Sequence, residues 1–355
     1  MSKYKVTVEQ YMRFRREGFL LVPGLVSAAE VESLRHHTEL LMQGNLPEQQ
    51  ETTAAEDRGD TGGAMQKFQR PPENLSPEEK ALYWLRIHML HRQLAIHEQF
   101  LLHPRVLDVL ECLIGPDVMA MQSMMFFKGP GKAGQGWHQD SYYIPTHPDS
   151  LCGAWLALDD CDEYNGAMWF AQGSQVEPVY PPSEGDGFGD VQLGDIHKVA
   201  GVSKDDDSQN DLAKIADRYP QVLAKARAGD VVFFGGHVLH RSKRNNTTDR
   251  FRRSFVGHYA NARSFTQWGA DEAIRGDKSI SDKVDPITKM TNGSHILARG
   301  DTHLPFAKPR FGTKCAAMLS AEERRCNSAA LASMMMGDMS SDMGAKPAQT
   351  DREDD

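Results

Sequence analysis

Gly136-Trp137-His138-Gln139-Asp140 is a run whose residue types and spacing suit metal chemistry. On a strand, side chains at i and i+2 point to the same face. His138 and Asp140 then offer one nitrogen and one oxygen to a single ion. A third ligand has to come from elsewhere in the fold. Two histidines and one carboxylate leave three coordination positions open, a set suited to non-haem Fe(II) oxygen chemistry. The triplet alone says little in a chain with 14 histidines. His147-Pro148-Asp149 repeats the spacing, but Pro148 and Pro145 signal a turn. His37-Thr38-Glu39 lies in a helical run, where i and i+2 do not share a face.

Support comes from residues 229–242, GDVVFFGGHVLHRS. Gly229-Asp230 is a turn that feeds the apolar run Val231–Phe234, and His237 and His240 follow. Beyond them lies Phe251-Arg252-Arg253-Ser254-Phe255, strand-like and carrying adjacent arginines. One of the histidines completes the triad. An arginine on a neighbouring strand pairs in bidentate fashion with a carboxylate of a co-substrate held at the metal. Ser242, two residues after His240, reaches the same carboxylate from the same face. Each feature has a plainer reading as a core histidine or a solvated arginine; their order and combination favour the metal site.

The elements that must position these residues are helical first and β-rich afterwards. Thr7 and Gln10 stand in capping-box spacing ahead of one helix. Phe19–Val22 reads as a short strand stopped by Pro23-Gly24. Ser27 caps a second helix to about Met42. Residues 44–75 read as a loop, 77–102 as a third helical region, and Val106–Ile114 as a fourth helix. After Pro116 come short β-rich runs: Val118–Phe127, Gly153–Leu158, Ala167–Phe170, Val231–Phe234 and Arg252–Ala260. Turn signals between them indicate a sandwich or barrel. Residues 183–217 read as a long polar insertion, and the Ser-, Met- and Asp-rich tail 331–355 as disordered.

Composition narrows the function classes. The net charge of −9 over 355 residues argues against a nucleic-acid binder. Five cysteines without a CxxC argue against a disulfide framework or a thiolate zinc site. No apolar run approaches the ~18 residues of a membrane span, and the charged N-terminus lacks a secretory segment. The expectation is a cytoplasmic protein that acts on a small molecule, with no nucleic-acid or membrane partner. Monomer and homodimer stay equally open.

The chain resembles the phytanoyl-CoA dioxygenase family of Fe(II)- and 2-oxoglutarate-dependent oxygenases. The matching segments are VMAMQSMMFFKGPG (118–131), GWHQD (136–140), GAWLALDDCDEYNGAMWF (153–170), GDVVFFGGHVLHRS (229–242) and FRRSFVGHYA (251–260). The resemblance implies a mainly β fold with flanking helices, the double-stranded β-helix or cupin-like jelly roll. It implies one catalytic domain over 1–310, with a helical N-terminal region over 1–115, a core of about 116–262 and an extension 263–330.

Position by position, the resemblance makes His138, Asp140 and His240 the iron ligands. His240 matches because the family's distal histidine sits six residues after the last Phe of its GD-x-V-F-F run, here Phe234; His237 has the opposite strand parity. Arg252 matches the arginine that holds the far carboxylate of 2-oxoglutarate, and Arg253 should face away from it. The His240-to-Arg252 spacing is one longer than the family's, which places the extra residue in the Asn245–Asp249 turn. Trp155 and Met124 match residues that line the co-substrate, Gln139 adds a contact from within the motif, and Arg86 sits near a basic contact of some members. The usual GSH ending reads Gly173-Ser174-Gln175 here, away from the ligands.

The implied cofactors are Fe(II), 2-oxoglutarate and O2, and the implied reaction hydroxylates an aliphatic carbon with release of succinate and CO2. Halogenating relatives have a small residue where Asp140 stands, so hydroxylation is expected. Tyr142 and Tyr143 are better pocket candidates than Trp137 and Phe127. His258 shares parity with Arg252 and faces inward, towards substrate or core. Specificity is expected from 44–75, 183–217 and the region after 264, where His295 and His303 are out of register with the triad. The rival reading is a cupin-like isomerase or hydrolase that uses another divalent metal without 2-oxoglutarate; it has no use for Arg252.

Overall fold

The N-terminal helices form where the sequence caps them. Thr7 and Gln10 close a capping box on α1 (Val8–Glu17), and Ser27 and Glu30 close one on α2 (Ala28–Gln43). Gly18 and Gly44 end these helices in the left-handed conformation that glycine adopts without strain. The computed structural model describes residues 3–49, 70–92, 94–180, 207–264, 266 and 295–302. All lie within one unit, Met1–Ala316. The tail 331–355, His303 and most of the loop around 50–69 fall outside the described residues.

Five further helices are α3 (Pro77–Ala81), α4 (Ala95–Leu101), α5 (Pro104–Leu113), α6 (Asp140–Tyr143) and α7 (Leu212–Ala216). The strands are β1 (Phe19–Val22), β2 (Arg86–His88), β3 (Val118–Lys128), β4 (Gln135–His138), β5 (Cys152–Ala157), β6 (Met168–Ala171), β7 (Gln221–Ala224), β8 (Val231–Gly235), β9 (His240–Ser242), β10 (Arg252–Asn261) and β11 (Ile296–Arg299). They make two antiparallel sheets. The larger runs β1-β8-β5-β10-β3-β11, with β2 also on β3; the smaller runs β4-β9-β6-β7. From β3 to β10 the chain alternates between the sheets, except that β6 and β7 are both in the smaller one. This is the expected double-stranded β-helix.

Both faces of the larger sheet are buried, and period-two alternation sorts its side chains. Val231, Phe233, Leu156 and Phe255 pack outward against Leu34, Leu41, Leu101 and Leu110 of the helices. Val232, Phe234, Trp155 and Val256 point inward, towards Phe170 of the smaller sheet. Asp230 ties the β8 turn to the N-terminal segment, accepting from the backbone N–H of Gly24 and of Arg227 at 2.8 Å each.

Two expectations are corrected, and the C-terminal extension gains a strand. The third helical region contains β2, which pairs with β3 through Arg86↔Phe126 and His88↔Met124; the apolar residues there serve a sheet edge and two short helices instead. The insertion 183–217 ends in α7, whose Leu212 and Ile215 are buried with Trp137. The C-terminal extension supplies β11 to the larger sheet.

The β4–β9 pairing carries an irregularity that matters for chemistry. Gln135 pairs with Ser242, yet His138 pairs with His240. Three steps on β4 therefore match two on β9, as in a β-bulge, and the alternation flips. His138 ends up on the same face as Gln135, His240 and Ser242, while Trp137 turns to the α7 side. Gly134 leads into this pair so closely that an added Cβ would lie 2.0 Å from the Ser242 carbonyl oxygen. The Gly134→Ala protein is expected to lose about 1–3 kcal/mol through overpacking against backbone. A Tm unchanged from the parent would contradict this close approach.

Candidate metal centre and co-substrate pocket

Three elements bring the triad together. His138 closes β4, Asp140 opens α6 after the extended Gln139, and His240 opens β9. The same-face expectation for His138 and Asp140 holds, although the strand itself stops at His138. Their ligand atoms all lie within 4.8 Å of one another. His138 Nε2 is 3.6 Å and His240 Nε2 3.7 Å from Asp140 Oδ1. These separations are too long for hydrogen bonds and short enough for one ion to bridge.

The histidine tautomers follow from their other nitrogens. His138 Nδ1 is 2.7 Å from the Gly136 carbonyl and His240 Nδ1 is 3.1 Å from the Val238 carbonyl. A carbonyl only accepts, so each Nδ1 carries the hydrogen and donates it. Both Nε2 lone pairs are thereby free and directed at Asp140. Burial, reinforced by the neighbouring His240, pushes the His138 pKa down to about 3. That ring is neutral at pH 7, as a metal ligand must be. Burial would raise the Asp140 pKa, but the neighbouring histidines outweigh it, and the direction is down, with a hydrogen bond from His258 favouring the ionised form. His258 Nε2 donates to Asp140 Oδ2 at 2.9 Å. That bond leaves Oδ1 as the oxygen turned to the histidines.

His258 reaches this carboxylate from β10, where the register with β3 shifts between His258 and Tyr259. The sequence placed it inward but not on Asp140. His237 stands apart: its Nδ1 donates to the Glu177 carbonyl at 3.0 Å and its Nε2 faces Asp149.

A pocket of about 70 Å³ opens between the sheets, with the triad at one end and Arg252 and Ser242 in its lining. Met124 and Trp155 line it, as expected, together with Phe126, Met168, Phe234 and Val256. Arg252 is buried and donates from Nε to the Gly166 carbonyl and from Nη1 to Ser254 Oγ, both at 3.1 Å. Its guanidinium lies over the Phe126 and Trp155 rings at 5.7 Å. Among the described residues no carboxylate comes within ion-pair distance of it. Burial pulls its pKa down to about 10, so it is still charged at pH 7. Arg253 faces the other way, as parity requires, and pairs with Asp159 and Glu39.

Gln139 is not brought to the pocket. Its Nε2 donates to the Pro178 and His237 carbonyls, and its Oε1 accepts from the Tyr180 N–H. It braces the chain around 178–180 against the motif, and the co-substrate contact expected of it is withdrawn. Arg86 sits beside Phe126 on β2, outside the pocket lining. Tyr142 and Tyr143 meet edge to face and are absent from the pocket lining, and Tyr143 is exposed. Trp137 and Phe127 are core residues.

Two residues of this region went unnoticed in the sequence. Arg241 lies over the Trp137 ring, and its Nη1 donates to both carboxylate oxygens of Asp207. Lys128, buried at the end of β3, donates to Ser242 Oγ and to the Lys243 carbonyl. Its parity with Met124 was the available signal.

The fold agrees with what the chain is similar to. The phytanoyl-CoA dioxygenase domain-containing protein 1 of Danio rerio is 25% identical over 297 residues, covering 78% of this chain and 97% of that one. The peroxisomal phytanoyl-CoA dioxygenase of Homo sapiens is 26% identical, covering 72% and 69%. Among solved structures, the epimerase SnoN with Fe3+, alpha-ketoglutarate and nogalamycin RO aligns with a TM-score of 0.51 at 21% identity, over 80% of this chain and 93% of that one; this supports the fold. The family model described as phytanoyl-CoA dioxygenase matches residues 14–254. The chain belongs to the phytanoyl-CoA dioxygenase family, oxygenases that depend on Fe(II), 2-oxoglutarate and O2.

Proposed function

We propose that this protein is a 2-oxoglutarate-dependent hydroxylase acting on an aliphatic carbon of a small molecule. The observation that carries the reading is Arg252: a charged, buried guanidinium with no carboxylate beside it among the described residues, in a pocket that also holds three converging ligand atoms. Burying an unpaired charge is costly, so such a site calls for an anion from outside. A diacid that spans from the metal to Arg252 meets that need.

His138 Nε2, His240 Nε2 and Asp140 Oδ1 would hold Fe(II), whose chemistry with O2 turns 2-oxoglutarate into succinate and CO2 and removes hydrogen from the substrate carbon. The chain's own contribution is placement. His258 keeps Asp140 Oδ2 occupied. Arg252 and Ser242 hold the far carboxylate. Met124, Phe126, Trp155 and Val256 give the co-substrate an apolar wall that excludes water. Asp140 would serve as a ligand where halogenating relatives have a small residue, which favours hydroxylation over halogenation. A metalloenzyme without 2-oxoglutarate would leave Arg252 without a counter-ion. Cys112, Cys152 and Cys161 are free thiols, which fits a reducing compartment, and we assign the protein to the cytoplasm. No helix among the described residues is long and apolar enough to cross a membrane.

Succinate release from 2-oxoglutarate with Fe(II) and O2, measured with and without a panel of small aliphatic substrates, tests the reading. Activity that is insensitive to 2-oxoglutarate would overturn it. Arg252→Ala is expected to cost about 2–5 kcal/mol in co-substrate binding, seen as a raised KM for 2-oxoglutarate. His258→Ala should weaken metal affinity by about 10–100-fold with the fold intact. Competition with a chelating dye checks this, and unchanged affinity would remove His258 from the metal's support.

A further inference from the structure

We propose that Lys128 is a positioning residue that fixes the hydroxyl direction of Ser242 and so makes the pocket select a 2-oxo diacid over a 2-oxo monoacid. This rests on the co-substrate reading above and deepens it.

Lys128 and Arg252 stand directly opposite each other on β3 and β10. Both are buried, at 2% exposure each. Like charges set side by side in a sheet repel, so an element built only for stability gains nothing from this pair.

Donor and acceptor capacity fixes what Lys128 does. An ammonium donates and cannot accept; a serine hydroxyl has one hydrogen and two lone pairs. Lys128 Nζ lies 2.9 Å from Ser242 Oγ, so the oxygen accepts. The Gln135 N–H also donates to the same oxygen, at 3.3 Å. Both lone pairs of Oγ are then engaged, and its hydrogen has to point away from Lys128 and Gln135. Ser242 lines the pocket beside Arg252, and an acceptor placed there receives that hydrogen.

Lys128 is itself held in one pose. Nζ donates at 2.8 Å to the Lys243 carbonyl. Gly166 packs against it, where an added Cβ would meet Nζ at 3.2 Å and the Lys243 carbonyl oxygen at 2.5 Å. The far end of the pocket thus offers donors from Ser242 and Arg252. A carboxylate, which only accepts, satisfies that end; a methyl group leaves it unpaired.

The test is calorimetric titration of the full-length protein, loaded with Mn(II) without oxygen, with 2-oxoglutarate and separately with 2-oxopentanoate. The second acid has a methyl where the first has its far carboxylate. Lys128→Met should raise the Kd for 2-oxoglutarate by about tenfold or more, while that for 2-oxopentanoate moves by less than about twofold. The double variant with Ser242→Ala should bind 2-oxoglutarate little worse than Ser242→Ala alone, because Lys128 acts through that hydroxyl. Equal losses for both acids, fully additive losses, or an unchanged Kd would overturn the proposal. If Lys128→Met does not fold, Lys128→Gln is titrated in its place, with the same expected and overturning results. A parent protein that does not prefer 2-oxoglutarate would overturn the co-substrate reading itself, a distinguishable result.

Discussion

The site depends on how β4 lies against β9. With regular antiparallel pairing from Gln135↔Ser242, the partner of His240 would be Trp137, and His138 would face the other side of the sheet. The extra residue on β4 instead sets His138 opposite His240, because one residue of slip reverses every side chain beyond it. Asp140 then joins them by ordinary alternation through Gln139. The same irregularity sends Trp137 into the cluster with Leu212 and Ile215, so one local event supplies both the ligand and the support behind it.

From that constraint the pocket gains opposite ends. At the triad the exposed lone pairs belong to His138, His240 and Asp140, whose other polar atoms are tied to Gly136, Val238 and His258. At the far end Arg252 and Ser242 offer hydrogens. Between them the walls are apolar, where charge interactions are stronger than in water. A ligand with one anionic end and one chelating end is oriented by these differences alone.

Much of this was legible in the sequence. The capping boxes at Thr7 and Ser27, strand Phe19–Val22 and the runs that became β3, β5, β8 and β10 carry local signals that tertiary packing did not override. The HQD motif and the GDVVFF run located the triad. Parity assigned Arg252 inward and Arg253 outward. What stayed hidden depends on long-range register. β2 looks helical because its pairing with β3 is non-local. Gln139 lies inside the motif, yet its amide is spent on backbone around 178–180. Lys128 resembles a solvated strand end, although its parity with the pocket-lining Met124 pointed inward, and the fold buries it.

The central claim is that the triad and Arg252 together hold a metal and 2-oxoglutarate. Anaerobic titration of the Fe(II)-loaded protein with 2-oxoglutarate tests it most directly, by the visible charge-transfer absorption of an iron-bound 2-oxo acid. The expected result is an absorption that saturates at one 2-oxoglutarate per iron. Its absence, with tightly held zinc found by metal analysis, would contradict the claim and favour a metalloenzyme that works without a 2-oxo acid.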